Sequence, residues 1–312
     1  MSRAGSARDL PAPDTAPGAA VIGAGGFVGA RLVAALEAAG VPTERFTRSR
    51  PFLRDGELAP GLRGAPILFY FATSVTPGSA ESHPELVEAD YELFDRLLGG
   101  LRRAGGDTAV VLASSGTVYD PRIEPPYDEA APTWAPGAYG AGKLRMERAL
   151  LDQAGRLRPL VIRLASMYGS GARTAPGFGV IPHWLRAAGA GRPVDLIGDP
   201  EVRRDFVYID DVLDAMLRVH AAMSAPAGAR GALPPILNIG SGAPTSLTEL
   251  LREVSTVTGR ELVVRRQDGR GFDRKALWLD VRRAADNLGW RPRTSLAEGL
   301  TQTWHAIGEE AG

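Results

Sequence analysis

Residues 21–32 read VIGAGGFVGARL, and the spacing of their glycines decides the fold. Val28 occupies the last position of a GxGxxG pattern, so the stretch instead fits GxxGxxG through Gly23, Gly26 and Gly29, with Gly25 extra. An apolar run, AAVIGA, precedes it. A helical pattern bearing Leu32, Val33 and Leu36 follows and stops at Gly40, with Pro42 beyond. Strand, glycine turn and helix in that order let the backbone bend tightly and bring a pyrophosphate to the positive helix N-terminus. The expectation is a dinucleotide site over Gly23, Gly26, Phe27, Val28 and Gly29.

Working outward, AAVIGA, PILFYFA, AVVLAS and PLVIRLA are continuous apolar runs, as strands buried on both faces require. Helical patterns lie between them near 29–39, 84–104 and 137–154. This alternation predicts an α/β fold with a doubly wound, Rossmann-type parallel sheet. Between RFTRSR at 45–50 and PILFYFA at 66–72 too few residues remain for a full strand and helix, so that part of the sheet is expected to be abbreviated. After 165 shorter elements are separated by Gly and Pro clusters. Two capping boxes, Ser246 with Glu249 and Ser295 with Glu298, mark helix starts there. The expected organisation is a disordered lead-in over 1–17 and a dinucleotide-binding domain over 18–165 plus 205–240. A smaller α/β substrate lobe takes 166–204 plus 241–312.

Composition excludes several functions. The 312 residues carry 36 basic and 36 acidic side chains, which gives no electrostatic case for nucleic acid or an anionic membrane as partner. Cysteine is absent, which removes disulfides, thiolate catalysis and cysteine-ligated zinc, and suits a reducing compartment. The four histidines, His83, His183, His220 and His305, are dispersed without metal-ligand spacing, so no metal is expected. No apolar run reaches the length of a signal peptide core or a membrane span, and a cytoplasmic protein is the expectation.

Two further stretches carry chemistry. In AYGAGKLRMERALL, Tyr139 and Lys143 are four apart and share a helix face. A lysine ammonium beside a phenol favours phenolate and makes the tyrosine a usable proton donor and acceptor. In LASSGTVYD, Ser115 follows a strand at the end where such sheets bind ligands; it either holds a reacting oxygen or caps the backbone of its own loop.

Taken together with RRDFVYIDDV at 203–212, NIGSG at 238–242 and LGWRPRTSLAEGL at 288–300, these motifs resemble the extended short-chain dehydrogenases/reductases. That family comprises nucleotide-sugar epimerases, dehydratases and ketoreductases, and the resemblance runs from about residue 19 to 304. It implies that Ser115, Tyr139 and Lys143 are catalytic, with Tyr139 and Lys143 also touching the cofactor. It implies Ala72 beside the cofactor, Ser74, Ser115 and Ser166 beside the substrate, and Arg204, Arg270 and Asp273 on the substrate's diphosphate and ribose. It also implies a homodimer built by helix pairing, for which Leu97, Leu98, Leu101, Met146, Leu150 and Leu151 are apolar candidates; the same positions suit packing within the subunit. The chain departs from the pattern at Ser166 and Asp90, where Asn is common, and at Gly142, where Ser is frequent. Gly116 and Thr117 replace the Asp-Glu pair of the dehydratases and cannot titrate, which excludes that activity.

The cofactor is read from RFTRSR. NAD-preferring members end the second strand with an acidic residue about 20 positions beyond the glycine motif. Thr47 stands there instead, followed by Arg48, a pair that accepts a 2′-phosphate which a carboxylate would repel. NADP(H) is therefore expected, with NAD as the alternative. The resemblance then implies an NADPH-dependent ketoreductase acting at position 4 of a nucleotide-diphosphate keto-deoxysugar, a dTDP-sugar being favoured. A 4-epimerase with tightly bound NAD is the runner-up. A cofactor-sensing protein without turnover ranks third, because Tyr139 and Lys143 are both present.

Overall fold

The computed structural model describes residues 18–105, 107–171, 179–225, 233–269 and 274–310. In chain order its strands are β1 (Ala19–Ile22), β2 (Thr43–Phe46), β3 (Leu53–Arg54), β4 (Glu57–Leu58), β5 (Ile67–Tyr70), β6 (Ala109–Ser115) and β7 (Arg158–Leu164). There follow β8 (Ser166–Tyr168), β9 (Val194–Ile197), β10 (Arg203–Tyr208), β11 (Ile236–Ile239), β12 (Pro244–Ser246), β13 (Val264–Gln267) and β14 (Ala276–Leu277). The helices are α1 (Phe27–Ala38), α2 (Pro60–Arg63), α3 (Pro84–Ala104), α4 (Ala138–Leu151), α5 (Val180–Gly189), α6 (Ile209–Ser224), α7 (Leu247–Thr258), α8 (Arg282–Leu288) and α9 (Leu296–Glu310).

The expected doubly wound sheet is present. It has six parallel strands in the order β2-β1-β5-β6-β7-β11. Both faces are covered, which is why its strands are apolar throughout. Along β1, Ala19 and Val21 enter a core with Leu32, Leu36, Val212 and Met216 from α1 and α6. Ala20 and Ile22 enter the opposite core with Phe94, Leu97, Met146 and Leu150 from α3 and α4. The chain runs from β1 outward to β2 and then returns to β5 on the other side of β1. The strand order therefore reverses between β1 and β5, and the crevice beyond their carboxyl ends is where such sheets take ligands.

The expected abbreviation is also present. A hairpin of β3 and β4 and the four-residue α2 fill the space between β2 and β5, and β2 remains the sheet edge. Phe52, Leu58 and Leu62 from this segment complete the core around Tyr70 and Phe94. Leu97, Leu98, Leu101, Met146 and Leu150 are buried inside the subunit and Leu151 is half-buried against the same core. These apolar positions thus take part in packing within the chain.

A second sheet, β12-β10-β14 with β8 beside β10, packs against α5, α7 and α9 through Trp184, Leu250, Val254 and Leu300. Of residues 205–240, β11 joins the large sheet and α6 packs on it, whereas β10 belongs to the second sheet. Two buried aspartates tie the pieces together. Asp205 on β10 accepts from the Ser241 amide and hydroxyl, both at 2.6 Å, and from the Gly242 and Leu279 amides at 3.2 Å. Asp211 on α6 accepts from the Arg293 and Thr294 amides at 3.0 Å, and its carbonyl takes the Trp290 indole N–H at 2.9 Å. RRDFVYIDDV therefore holds NIGSG through Asp205 and LGWRPRTS through Asp211, which accounts for all three motifs appearing in one chain. Both predicted capping boxes form, at Ser246–Glu249 and Ser295–Glu298.

Candidate active site

The glycine turn lies at the reversal point of the sheet. Gly23 sits against Ala72 at the end of β5, and an added Cβ would come within 2.7 Å of the Ala72 amide. Gly26 donates to the Gly23 carbonyl at 2.9 Å and starts α1, whose first turn no side chain caps. The amides of Phe27, Val28 and Gly29 therefore belong to an uncapped helix N-terminus beside Ala72, a setting that fits an anionic pyrophosphate. Gly29 has no room for a side chain: a Cβ would lie 2.2 Å from the Gly23 carbonyl oxygen. Gly29→Ala must deform the turn, and we expect affinity for a dinucleotide, measured by fluorescence titration, to weaken at least about tenfold.

Thr47 follows β2 and faces the turn, its methyl group 3.7 Å from where a Cβ on Gly25 would stand. Residues 47–50 form a tight turn in which Thr47 N donates to the Arg50 carbonyl at 3.0 Å and Thr47 Oγ1 accepts from Arg50 N at 3.1 Å. Arg50 turns back to pair with Glu44 at 2.9 Å, over the Phe46 ring. Arg48 stays exposed at the tip of this turn.

Ser115 ends β6, and Tyr139 and Lys143 lie on the first turns of α4. The helix start abuts the short 3-10 turn over Gly116–Val118, where a Cβ on Gly140 would be 2.8 Å from the Thr117 carbonyl oxygen. Gly140 thus lets Tyr139 approach the turn that carries Ser115. Ser115 Oγ accepts from the Thr117 amide at 3.2 Å and the Thr117 hydroxyl at 3.0 Å, so it caps its own loop as well as facing the crevice end of the strand. Lys143 is buried, donates to the Ala113 carbonyl at 3.2 Å and lies 5.8 Å from the Tyr139 ring centroid.

The expected lowering of the Tyr139 phenol by Lys143 does not dominate. Burial pushes Tyr139 up to about 12, and the Asp90 carboxylate adds to that. Burial also brings Lys143 down to about 8, against the pull of Asp90 and Glu147. A partly desolvated ammonium whose hydrogen bond goes to a backbone carbonyl is a weak acidifier of its neighbour. At neutral pH the site therefore holds a protonated tyrosine beside a cationic lysine.

A buried polar network underlies these residues. Glu147, one turn beyond Lys143, pairs with Arg163 of β7 at 2.7 Å and accepts from the Ser114 hydroxyl, next to Ser115. Arg163 lies over the Tyr119 ring at 4.7 Å, and Tyr119 donates to Asn238 at 2.7 Å. Arg274 donates to the Tyr119 carbonyl at 2.7 Å and also to the Thr117 carbonyl, which fixes the 3-10 turn to the segment leading into β14.

Three of the remaining candidates lie on separate elements. Ser74 is exposed just beyond Ala72, Ser166 begins β8 exposed, and half-buried Arg204 pairs in register with Leu277 of β14. Arg270 and Asp273 lie outside the described residues. Among the described residues no group of three or more His, Cys, Asp or Glu forms a metal site, and no helix is long and apolar enough to cross a membrane.

A model of the NAD dependent epimerase/dehydratase family matches residues 19–240. The chain belongs to this epimerase/dehydratase family. Over 328 aligned residues it is 31% identical to dTDP-6-deoxy-L-talose 4-dehydrogenase (NAD(P)(+)) of Kitasatospora kifunensis, covering 95% of this chain and 98% of that one. It is 33% identical to UDP-glucose 4-epimerase of Mycolicibacterium smegmatis over 67% of this chain and 64% of that one. Among solved structures, MoeE5 in complex with UDP-glucose and NAD superposes with a TM-score of 0.82 at 28% identity, covering 94% of this chain and 99% of that one.

Within this epimerase/dehydratase member, sequence reading passed over Gly140, Glu147, Arg163 and Arg274. Gly140 and Glu147 stand in the quoted AYGAGKLRMERALL, but a glycine inside a helix and a glutamate on one carry no signal until the neighbouring turn and strand are placed. Arg163 was legible as an oddity, a lone cation inside the apolar run PLVIRLA. Such a residue demands a buried anion.

Proposed function

We propose that this chain is an NADPH-dependent ketoreductase acting on a nucleotide-diphosphate keto-deoxysugar, with the carbonyl at position 4 as the reacting group. Arg48 carries the choice of a consumed cofactor over a resident one. It stays exposed on a turn packed against the glycine loop, while Arg50 is taken by Glu44 and no carboxylate ends β2. A dTDP-sugar is favoured because the talose dehydrogenase relative, aligned over nearly the whole chain, acts by its name on a dTDP-6-deoxy sugar at that position.

When bound in the crevice, the dinucleotide supplies the hydride for the carbonyl carbon. Tyr139 gives its phenolic proton to the carbonyl oxygen, and Ser115 holds that oxygen with a hydrogen bond. Lys143, charged below about 8, stabilises the phenolate left behind and reaches the nicotinamide ribose. Neither Gly116 nor Thr117 has a side chain that titrates, so the turn beyond Ser115 orients without supplying the acid and base of a dehydratase. Arg204, together with Arg270 and Asp273, grips the diphosphate and ribose of the substrate, and Ser74 and Ser166 line the sugar. A homodimer and a cytoplasmic location belong to the same reading, the first resting on family resemblance and the second on the absence of cysteine.

Replacing Arg48 with Ser tests the cofactor. A charge-assisted hydrogen bond is worth about 1.5–3 kcal/mol, so the preference for NADPH over NADH in kcat/KM should fall about 10- to 100-fold. An unchanged ratio would remove Arg48 from the site. A 4-epimerase with NAD is the second reading, favoured by the likeness to the M. smegmatis epimerase.

A further inference from the structure

Ser114 and Ser115 are successive residues of β6, so their side chains leave opposite faces of the strand. The Ser114 hydroxyl donates to the Glu147 carboxylate, and its proton is spent inside the protein. The Ser115 hydroxyl differs. It is half-buried, and its oxygen accepts from the Thr117 amide at 3.2 Å and from the Thr117 hydroxyl at 3.0 Å. Among the described residues no group accepts a hydrogen bond from Ser115 Oγ.

A hydroxyl group has one proton and two lone pairs. Both lone pairs of Ser115 are filled by one residue, Thr117, and the proton is left over. The two roles that the sequence allows Ser115, capping its loop and holding a reacting oxygen, therefore use different parts of the same hydroxyl. Capping takes the acceptors and leaves the donor. A donor left over at the carboxyl end of a sheet strand suits an incoming oxygen that can accept.

Thr117 is itself braced from two sides. Its carbonyl accepts from Arg274, whose other terminal nitrogen reaches the Tyr119 carbonyl at 2.7 Å. The same carbonyl oxygen abuts the start of α4, where a Cβ on Gly140 would come within 2.8 Å of it. The segment leading into β14 and the helix that carries Tyr139 thus hold the turn in place between them.

We propose that Thr117 is the positioning residue that makes Ser115 a hydrogen-bond donor only, aimed at the sugar oxygen on which charge develops. The proposal rests on the reading of Ser115 as the residue that holds that oxygen. Without the Thr117 hydroxyl one lone pair of Ser115 opens to water or to a sugar hydroxyl, and the serine can then bind as an acceptor as well. A carbonyl oxygen can only accept, so a donor-only serine favours it.

Thr117→Val removes the hydroxyl and keeps the amide, the carbonyl and the branched shape. With dTDP-4-keto-6-deoxyglucose and NADPH, kcat should fall about three- to tenfold, while KM and the NADPH dissociation constant stay within about twofold. Thr117→Ser restores the hydroxyl and should stay near the parent. Ser115→Ala should cost about 100-fold. In that background Thr117→Val should add nothing, because the group it orients is gone. An unchanged kcat in Thr117→Val, or the same loss with and without Ser115, overturns the proposal. Neutron diffraction from the deuterated protein reads the hydroxyl directions without any turnover. The Thr117 deuterium should lie on the line to Ser115 Oγ, and the Ser115 deuterium should point away from Thr117. A Ser115 deuterium directed at Thr117 Oγ1 overturns the proposal whatever the kinetics show. A chain that reduces no keto sugar yet has the first arrangement would sink the reductase reading and leave the donor-only serine standing.

Discussion

Tyr139→Phe should lower kcat by about 10³-fold, within the usual range for loss of a general acid, and leave the NADPH dissociation constant within about twofold. The ring stays, and with it the contact to Lys143 and the seat on the first turn of α4 beside Thr117. Only the hydroxyl is removed, and that hydroxyl, pushed up to about 12, holds its proton across the working pH range. A donor of this kind acts when charge develops on the carbonyl oxygen, so its loss appears in the chemical step. Steady-state kinetics paired with a binding titration decide the matter. Parallel losses in kcat and cofactor affinity would show that Tyr139 serves binding and not proton transfer.

The largest stability effect is expected at Arg163→Met. Arg163 and Glu147 are both nearly inaccessible, with side-chain exposures of 4% and 1%. Removing one partner of such a pair leaves an uncompensated buried charge and costs about 3–5 kcal/mol. Glu147 has the Ser114 hydroxyl as another contact, which is not enough to replace a guanidinium. Unfolding in denaturant should show the midpoint falling with little change in slope. The double variant Arg163→Met with Glu147→Leu replaces the pair by apolar groups and should recover most of the loss. A single variant costing under about 1 kcal/mol would mean the pair behaves as an exposed one does.

The parts of the fold that follow from short-range pattern were legible. The glycine turn, the four apolar strands around it and both capping boxes depend on residues close in sequence, and each formed where its pattern lay. The abbreviation after β2 was legible too, because the residue count left no space for a full strand and helix. The polar partners of the candidate site were not. Glu147 and Arg163 are 16 residues apart and meet only because α4 packs across β6 and β7. Arg274 reaches Thr117 across 157 positions, through a register of β10 and β14 that no local pattern encodes. The Tyr139 pKa was misjudged for a related reason. The spacing of Tyr139 and Lys143 shows that they are neighbours, but burial is a property of the whole fold, and here it outweighs the lysine. The apolar residues of α3 and α4 show the same limit, since helical periodicity gives a buried face without saying whether the cover is this chain or another.

The measurement closest to the central claim follows an isotope instead of a rate. Incubate the protein with dTDP-4-keto-6-deoxyglucose and NADPH carrying deuterium at the transferable position, then analyse the sugar by mass spectrometry and NMR. Net reduction predicts one deuterium bound at the reduced carbon for each cofactor oxidised. An unlabelled sugar with no cofactor consumed, together with interconversion of UDP-glucose and UDP-galactose by the same protein, would contradict the ketoreductase and establish the epimerase.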